Sequence, residues 1–211
     1  MKFDELLRLV GDEPVFSSSL LGVVGVSPQQ ARLQLVRWVN AGKLIQLRRS
    51  LYALNRPFRK IEPHPFLLAN RIRKASYVSL QSALSHYNMI PEYVPVVTSV
   101  TTGRPEEVRT ELGIYVFRHV RKPLFGGFLR VTVAPGQSAF LATPEKALLD
   151  LIYLTPGGDQ AAYIDELRLQ NETALSKQAL IDAAKLFGSL KIDRAVAGIR
   201  ARMASEQGET L

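Results

Sequence analysis

The chain has 211 residues, 22% of them charged, and a formal net charge of +8, a composition ordinary for a globular protein. It contains no cysteine, which excludes a disulfide framework and a thiolate metal site. Its three histidines lack the close spacing of common zinc motifs, so neither a metal nor a cofactor is expected. The N-terminus has no secretory signal pattern, and the apolar run Leu20 to Val26 is too short to span a bilayer. These features predict a cytoplasmic protein.

The charge is distributed unevenly along the chain. Lys plus Arg against Asp plus Glu number 10 and 4 in residues 1–60, 9 and 5 in residues 61–130, and 8 and 10 in residues 131–211. The three segments therefore carry +6, +4 and −2. Clustered basic residues favour a polyanionic partner, because their binding releases the counterions condensed on a nucleic acid. The distribution indicates nucleic-acid binding by the N-terminal part.

The first predicted element is a helix from Phe3 to Val10, whose apolar residues recur at helical spacing and which Gly11 stops. The dipeptide Val15-Phe16 is expected to lead into a second helix, for which Ser17 to Ser19 offer candidate caps. Leu20-Leu21 is expected to be buried beneath the helix that follows.

A third helix is predicted to begin at Pro28, because Ser27 supplies a capping hydroxyl and proline is favoured at the first helical position. Gly42 is predicted to end it, since glycine reaches the left-handed conformation of a C-terminal cap without a Cβ penalty. Helical spacing assigns to the buried face Ala31, Leu35, Val36, Trp38 and Val39. It assigns to the opposite face Gln29, Gln30, Leu33, Arg37 and Asn40, with Arg32 and Gln34 at the borders.

Two apolar strands, Leu44 to Leu47 and Leu51 to Leu54, are predicted to form a hairpin around Arg48-Arg49-Ser50. No acidic residue occurs from Gly22 to Asn55, a run that contains five basic residues. Glutamine and arginine carry planar groups that bind adenine and guanine edges in the major groove, and arginines at a hairpin tip suit the phosphate backbone or minor groove. The order of elements predicts a winged helix-turn-helix DNA-binding domain over residues 1–57.

The candidate contacts to double-stranded operator DNA are Ser27, Gln29, Gln30, Arg32, Leu33, Gln34, Arg37, Lys43, Arg48 and Arg49. A competing interpretation is a solvated amphipathic helix beside an ordinary hairpin, which either piece alone would allow. The two pieces together, with the charge asymmetry, favour DNA.

A domain boundary is predicted within Asn55 to Pro65, because its three prolines discourage either neighbouring element from continuing. The second domain would cover residues 58–211. Helices are expected from Phe66 to about Lys74 and, after Tyr77-Val78-Ser79, to about Tyr87. The strands expected there are Val94 to Thr102, Gly113 to Val120, Phe128 to Ala134 and Phe140 to Ala142. They predict a small antiparallel sheet and assign the whole chain to the α+β class.

A helix opening at Thr143-Pro144 is strongly apolar and is predicted to be central and buried. Glu145, Lys146 and Asp150 form its most enzyme-like cluster. Glu145 complements the helix N-terminus and the other two form an i,i+4 pair, so no catalytic residue is assigned and an enzyme is not expected. Three further helices are predicted over Tyr163 to Leu169, Lys177 to Phe187 and Ile192 to Met203. The end of the chain, Ser205 to Leu211, is predicted to be frayed.

Three segments stand out in order along the chain: GKLIQLRRSLYAL at Gly42 to Leu54, ASYVSLQSALSHYNMI at Ala75 to Ile90, and ATPEKALLDLIY at Ala142 to Tyr153. Together they resemble the AbiEi-type antitoxins, transcriptional regulators of bacterial abortive-infection and type IV toxin–antitoxin systems, over most of the chain. The family pattern has glycine after the hairpin arginine, where this chain has Ser50. A different turn geometry is therefore expected at the tip.

The resemblance implies an N-terminal domain that binds operator DNA and represses its own operon. It also implies an AbiEi-like C-terminal antitoxin domain that counters a nucleotidyltransferase-like toxin, an antagonism that need not involve a stable complex. Two other functions stay open: a stand-alone winged-helix transcription factor whose C-terminal domain senses a ligand or dimerises, and an enzyme that uses the Glu145 region.

Overall fold

The computed structural model describes residues 1–171 and 175–208, with the side chains of residues 204–208 excepted. Within these residues the chain folds as a mixed α+β protein with nine α-helices and two β-sheets, which confirms the α+β class. None of the helices in the described part is long and apolar enough to cross a membrane.

The N-terminal part contains three helices and a three-stranded sheet. Its elements are α1 (Phe3–Val10), β1 (Phe16–Ser17), α2 (Leu20–Val23), α3 (Pro28–Asn40), β2 (Leu44–Arg48) and β3 (Leu51–Leu54). The strand order is β1-β3-β2, and both pairings are antiparallel. The first and third predicted helices and both hairpin strands are confirmed.

The second predicted helix is present as α2, with Ser19 at its N-cap position, but Phe16 ahead of it begins the strand β1, which was not predicted. Phe16 lies opposite Tyr52 of β3, and the two rings stack with their centroids 5.9 Å apart. The helix α2 starts later and has four residues, of which Leu21 is fully buried. The Phe16 ring therefore packs against the hairpin, and residues 16–17 pair with β3 before α2 begins.

The C-terminal part is built on a six-stranded sheet with the strand order β6-β7-β5-β4-β9-β8. Its first elements are α4 (Pro65–Ile72), β4 (Ser76–Val78), α5 (Leu80–His86), β5 (Val96–Thr101), β6 (Glu106–Thr110), β7 (Gly113–His119), β8 (Phe128–Ala134) and β9 (Gln137–Ala142). A 3-10 turn at Lys122–Leu124 joins β7 to β8.

The predicted small antiparallel sheet is wrong in both size and strand direction. The β4 strand pairs in parallel with β9, and β5 pairs in parallel with β7, while the other pairings are antiparallel. The chain passes from β5 to the edge strand β6 and returns as β7 between them, which makes β7 parallel to β5. Two strands were missed: the short β4 was assigned to a helix lead-in, and β6 alternates charged residues in the manner of an edge strand.

The remaining helices are α6 (Pro144–Leu154), α7 (Ala161–Glu166), α8 (Lys177–Phe187) and α9 (Leu190–Gly208). Every residue of α6 from Glu145 to Ile152 is buried, so the prediction of a central buried helix is confirmed. The helix α9 continues to Gly208 and so includes residues 205–208 of the segment that was expected to be frayed, while the fraying itself stays a prediction. The rest of that expectation, residues 209–211, lies outside the described residues.

The hairpin β2–β3 belongs to both parts of the molecule. Since side chains alternate across a strand, its two faces pack in different places. One face joins the N-terminal core with Leu6, Leu21 and Leu35, through Leu44, Tyr52 and Leu54. The other face joins the core of the C-terminal part with Leu68 and Ile72 of α4, through Ile45, Leu47 and Ala53. Apolar packing therefore crosses the predicted boundary between residues 57 and 58.

Candidate nucleic-acid interface

Local sequence signals set both ends of α3. The hydroxyl of Ser27 accepts a hydrogen bond from the backbone N–H of Gln30 at 3.3 Å, and Pro28 occupies the first helical position. Gly42 has a φ of +66°, the left-handed conformation that ends the helix. The predicted start, cap and stop of this helix are confirmed.

The face of α3 that points away from the core carries amide and guanidinium side chains together with the apolar Leu33. Ala31 and Leu35 are buried against the N-terminal core. The predicted residues exposed on the other side are Gln29, Gln30, Arg32, Leu33 and Arg37. Amide and guanidinium groups in this pattern can bind base edges in a major groove.

The helical spacing assigned Val36 to the buried face, and this prediction is wrong. Val36 is 48% exposed and lies on the outer face beside Leu33, which is 60% exposed. The buried stripe of α3 is therefore narrower than predicted, and the outer face has an apolar centre.

Two of the predicted contact residues, Ser27 and Lys43, have structural partners within the protein, and a third, Gln34, is half-buried at the border of this face. The hydroxyl of Ser27 is occupied in capping. The ammonium of Lys43 lies 4.6 Å from the ring centroid of Phe3, at cation–π distance. Gln34 is half-buried, and its side-chain oxygen has no hydrogen-bond partner in the protein.

The two hairpin arginines have different environments. Arg49 is exposed at the tip. The guanidinium of Arg48 donates hydrogen bonds to Glu106 Oε1 at 2.8 Å and to the carbonyl oxygen of Ile72 at 3.0 Å, and its side chain is 38% exposed. Arg48 therefore faces the C-terminal part, whereas Arg49 is free to contact a phosphate backbone.

A register shift in the hairpin lies beside Arg48. The pairing of β2 with β3 is irregular between Gln46 and Arg48, and such a bulge re-aims the side chains around it. Glu106 receives a second cation there, since Arg73 Nη1 lies 3.6 Å from Glu106 Oε2. Ser50 adopts a φ of +65° at the tip, the conformation that glycine adopts most readily.

The second and third segments of the family resemblance meet inside the C-terminal part. Asp150 of α6 accepts hydrogen bonds from the hydroxyls of Tyr77 at 3.0 Å and Ser79 at 2.8 Å. Lys146 pairs with the same carboxylate and donates to the Tyr77 hydroxyl at 2.8 Å. Its ammonium also lies 4.9 Å from the ring centroid of Phe187. We name Tyr77, Ser79, Lys146 and Asp150 the buried polar cluster.

All four side chains of the buried polar cluster are inaccessible to solvent. Burial raises the pKa of Asp150 and lowers that of Lys146, because it penalises the charged form of each group. Burial, followed by the Asp150 charge, raises the pKa of Tyr77. Mutual hydrogen bonding of buried groups is the geometry of a structural network, and none of these four side chains reaches solvent in the described part of the chain.

Glu145, beside this cluster, contacts the start of another helix. Its Oε1 accepts a hydrogen bond from the backbone N–H of Ser176 at 2.8 Å, and Ser176 caps α8. The carboxylate therefore links α6 to α8, a structural contact in addition to the predicted stabilisation of its own helix N-terminus.

A surface cleft of about 340 Å³ lies between α5 and the β6–β7 turn. Its lining includes the rings of His64, Phe66, His86 and Tyr93 and the hydroxyl of Ser85, and no Lys, Arg, Asp or Glu among the described residues. Burial lowers the pKa of His86, and burial followed by the His86 charge lowers that of His64. The cleft therefore offers neutral aromatic rings and hydrogen-bonding groups near pH 7.

Within residues 1–171 and 175–208, no three His, Asp or Glu side chains are grouped so that they could hold a metal ion.

No protein-family model matches this chain, and no curated protein matches it. The resemblance to AbiEi-type antitoxins therefore stays a prediction carried by the three segments quoted above.

Proposed function

We propose that the protein is a DNA-binding transcriptional repressor. The observation that carries the proposal is the outer face of α3, which presents amide and guanidinium groups on the side opposite Ala31 and Leu35. These groups are the ones that pair with adenine and guanine edges. Neither α3 nor the β2–β3 hairpin carries a carboxylate that would repel an anionic groove, because the chain has no acidic residue between Glu13 and Glu62.

The order and pairing of the N-terminal elements support a winged helix-turn-helix. In that interpretation α3 is the recognition helix, β2–β3 is the wing, and Arg49 at its tip contacts the phosphate backbone. The protein would then dock through α3 and Arg49, with Arg48 holding the wing on the C-terminal part through Glu106.

We further propose that this repressor is the antitoxin of a type IV toxin–antitoxin operon in the cytoplasm, and that it counters a nucleotidyltransferase-like toxin. This part rests on the resemblance to AbiEi-type antitoxins. The buried polar cluster supports it, since Tyr77 and Ser79 come from one of the resembling segments and Lys146 and Asp150 from another. Contact between the two segments gives a physical reason for them to occur together in one fold.

The DNA-binding proposal is tested by titrating the full chain onto duplexes selected from a random pool. Arg37→Ala should weaken binding about 10-fold or more, as expected for loss of a base contact. Arg200→Ala is the matched control, because it removes the same charge from an exposed position of α9. If Arg37→Ala and Arg200→Ala bind the selected duplexes with equal affinity, the proposal that α3 contacts DNA is wrong.

The antitoxin proposal has a separate test. When this protein is co-expressed with a neighbouring gene whose product arrests growth, growth should be restored. The full chain carrying Arg37→Ala, in which residues 58–211 are unchanged, should also restore growth. Loss of rescue in that variant would mean that relief acts through operator binding alone.

A ligand-sensing transcription factor is the second candidate function, and the cleft at His64 and His86 is the observation that favours it. A neutral cleft lined by Phe66 and Tyr93 suits a small planar ligand. A shift in melting temperature with free nucleosides, absent in His86→Ala, would support this candidate, and an unchanged melting temperature across such ligands would count against it.

A further inference from the structure

The outer face of α3 has an apolar centre that the polar contacts do not explain. Leu33 and Val36 are 60% and 48% exposed, although both are large aliphatic side chains. They lie three residues apart on the helix, so their Cβ atoms are neighbours about 5–6 Å apart. They form one exposed apolar patch on the face that is opposite the N-terminal core.

Polar residues flank this patch at both ends along the helix. Residues four apart stand one above the other on a helix surface, and two such rows cross the face. The first row is Gln29, Leu33 and Arg37, and the second row is Arg32, Val36 and Asn40. In each row an aliphatic side chain stands between two side chains that can donate hydrogen bonds.

We propose that Leu33 and Val36 recognise the 5-methyl groups of thymine in the major groove. This inference rests on the proposed DNA-binding function and specifies what the centre of the site must contain. Thymine is the base that presents a methyl group in the major groove, and aliphatic side chains contact it there. The flanking glutamine and arginine would bind adenine and guanine on either side of that thymine.

Charge favours DNA over a protein partner for the same patch. Arg32 and Arg37 border the two aliphatic side chains, and no carboxylate belongs to α3. A second copy of this chain would bring those arginines against like charges, whereas the DNA groove is lined by phosphates.

Uracil substitution tests the inference, because it removes only the methyl group. Duplexes selected from a random pool by the full chain should contain a thymine near the middle of the bound half-site. Replacing that thymine with uracil should weaken binding about 4-fold, the value expected for one buried methyl group. Leu33→Ala and Val36→Ala should each weaken binding to the thymine duplex. The variant that lacks the side chain in contact with the methyl group should also show a smaller loss of affinity when thymine is replaced by uracil, below about 2-fold.

Val23→Ala is the matched control. Val23 is 78% exposed on α2 and outside α3, so the variant loses a comparable aliphatic side chain without touching the proposed contact. It should keep the full uracil penalty.

The outcomes separate the inference from the proposed function. Selection of specific duplexes whose affinity ignores the methyl groups would overturn the inference alone. Failure to select any duplex would overturn both. A loss of affinity in Leu33→Ala that is equal on thymine and uracil duplexes, together with loss of self-association, would assign the patch to an interface between copies and overturn the thymine contact.

Discussion

Arg48 in the hairpin donates to Glu106 in the edge strand β6 at 2.8 Å, across 58 positions of sequence. The same guanidinium donates to the carbonyl oxygen of Ile72 at 3.0 Å. Together with the apolar contacts of Ile45 and Leu47, this pair ties the proposed wing to the C-terminal part. The hairpin is therefore positioned by the domain that it would help to orient on DNA.

The two hairpin arginines should differ when each is replaced. Arg48→Ala should lower the free energy of unfolding by about 1 kcal/mol, because the half-exposed ion pair and a bond to a backbone carbonyl are both lost. Arg49→Ala should change it by less than about 0.5 kcal/mol and should lower the salt dependence of DNA binding by about one ion. Urea denaturation and titrations at several salt concentrations measure both effects. Identical behaviour of the two variants would contradict this division of roles.

The buried polar cluster should show strong coupling between its charges. Lys146→Met alone should cost about 3–5 kcal/mol of unfolding free energy, because Asp150 is then buried without its cation. Adding Asp150→Leu should recover part of that loss, since the uncompensated charge is removed. Urea denaturation of the single and double variants measures the coupling. Losses that simply add would show that the two groups do not act as a pair.

Ser50 and Gly42 offer a reciprocal test of backbone strain. Both have a φ near +65°, a conformation that costs a residue with a Cβ about 1–2 kcal/mol. Ser50→Gly should therefore raise the free energy of unfolding by up to about 1 kcal/mol, the gain being reduced by the greater freedom of glycine in the unfolded chain. Gly42→Ala should lower it by a similar amount, although open space surrounds the added methyl group. Calorimetry measures both shifts, and a loss of stability in Ser50→Gly would disprove the assigned strain.

Stability should fall as the pH drops below about 6.5, the ordinary pKa of histidine. The pKa values of His64 and His86 are lowered by burial, so the unfolded chain binds protons in this range more readily than the folded chain does. Their contribution is fully present above about pH 6.5 and is lost as the pH falls through the folded-state values. The variant His64→Asn, His86→Gln should show a smaller fall in melting temperature from about pH 7 to about pH 5. In the native protein His64 Nδ1 accepts a hydrogen bond from the backbone N–H of Phe66, and asparagine at position 64 keeps an acceptor for it. An unchanged pH profile would exclude these groups as its source.

Glu145→Gln should leave the fold intact and lower the free energy of unfolding by about 1 kcal/mol, because a neutral acceptor replaces the charged one at the Ser176 N–H. The loss should be largest for α8, which hydrogen exchange can measure. Protection that is unchanged throughout α8 would contradict the link.

Several features followed from the sequence because their causes are local. The Ser27 cap, the proline at the first position of α3 and the left-handed Gly42 act within a few residues, and the structure confirms all three. The buried α6 was also predictable, since its apolar residues are continuous. Val36 was misplaced: it was assigned to the edge of the buried face, and it is 48% exposed in the structure.

Features that depend on distant parts of the chain were not predictable in the same way. The parallel pairing of β4 with β9 joins Val78 to Leu141, and no local pattern specifies that partner. The contact of Arg48 with Glu106 likewise joins residues 58 positions apart. It separates two adjacent arginines that the sequence alone would treat alike.

By itself, the sequence determined the α+β class, the capped helix α3 and the residues on most of its outer face, because propensity, capping and periodicity act over one or two turns of helix. The tertiary structure decided the mixed six-stranded sheet, the enclosure of Lys146 and Asp150, and the pairing of Arg48 with Glu106. The physical reason is that strand pairing and charge burial are settled by contacts between residues far apart in the chain, whose energies no local pattern encodes.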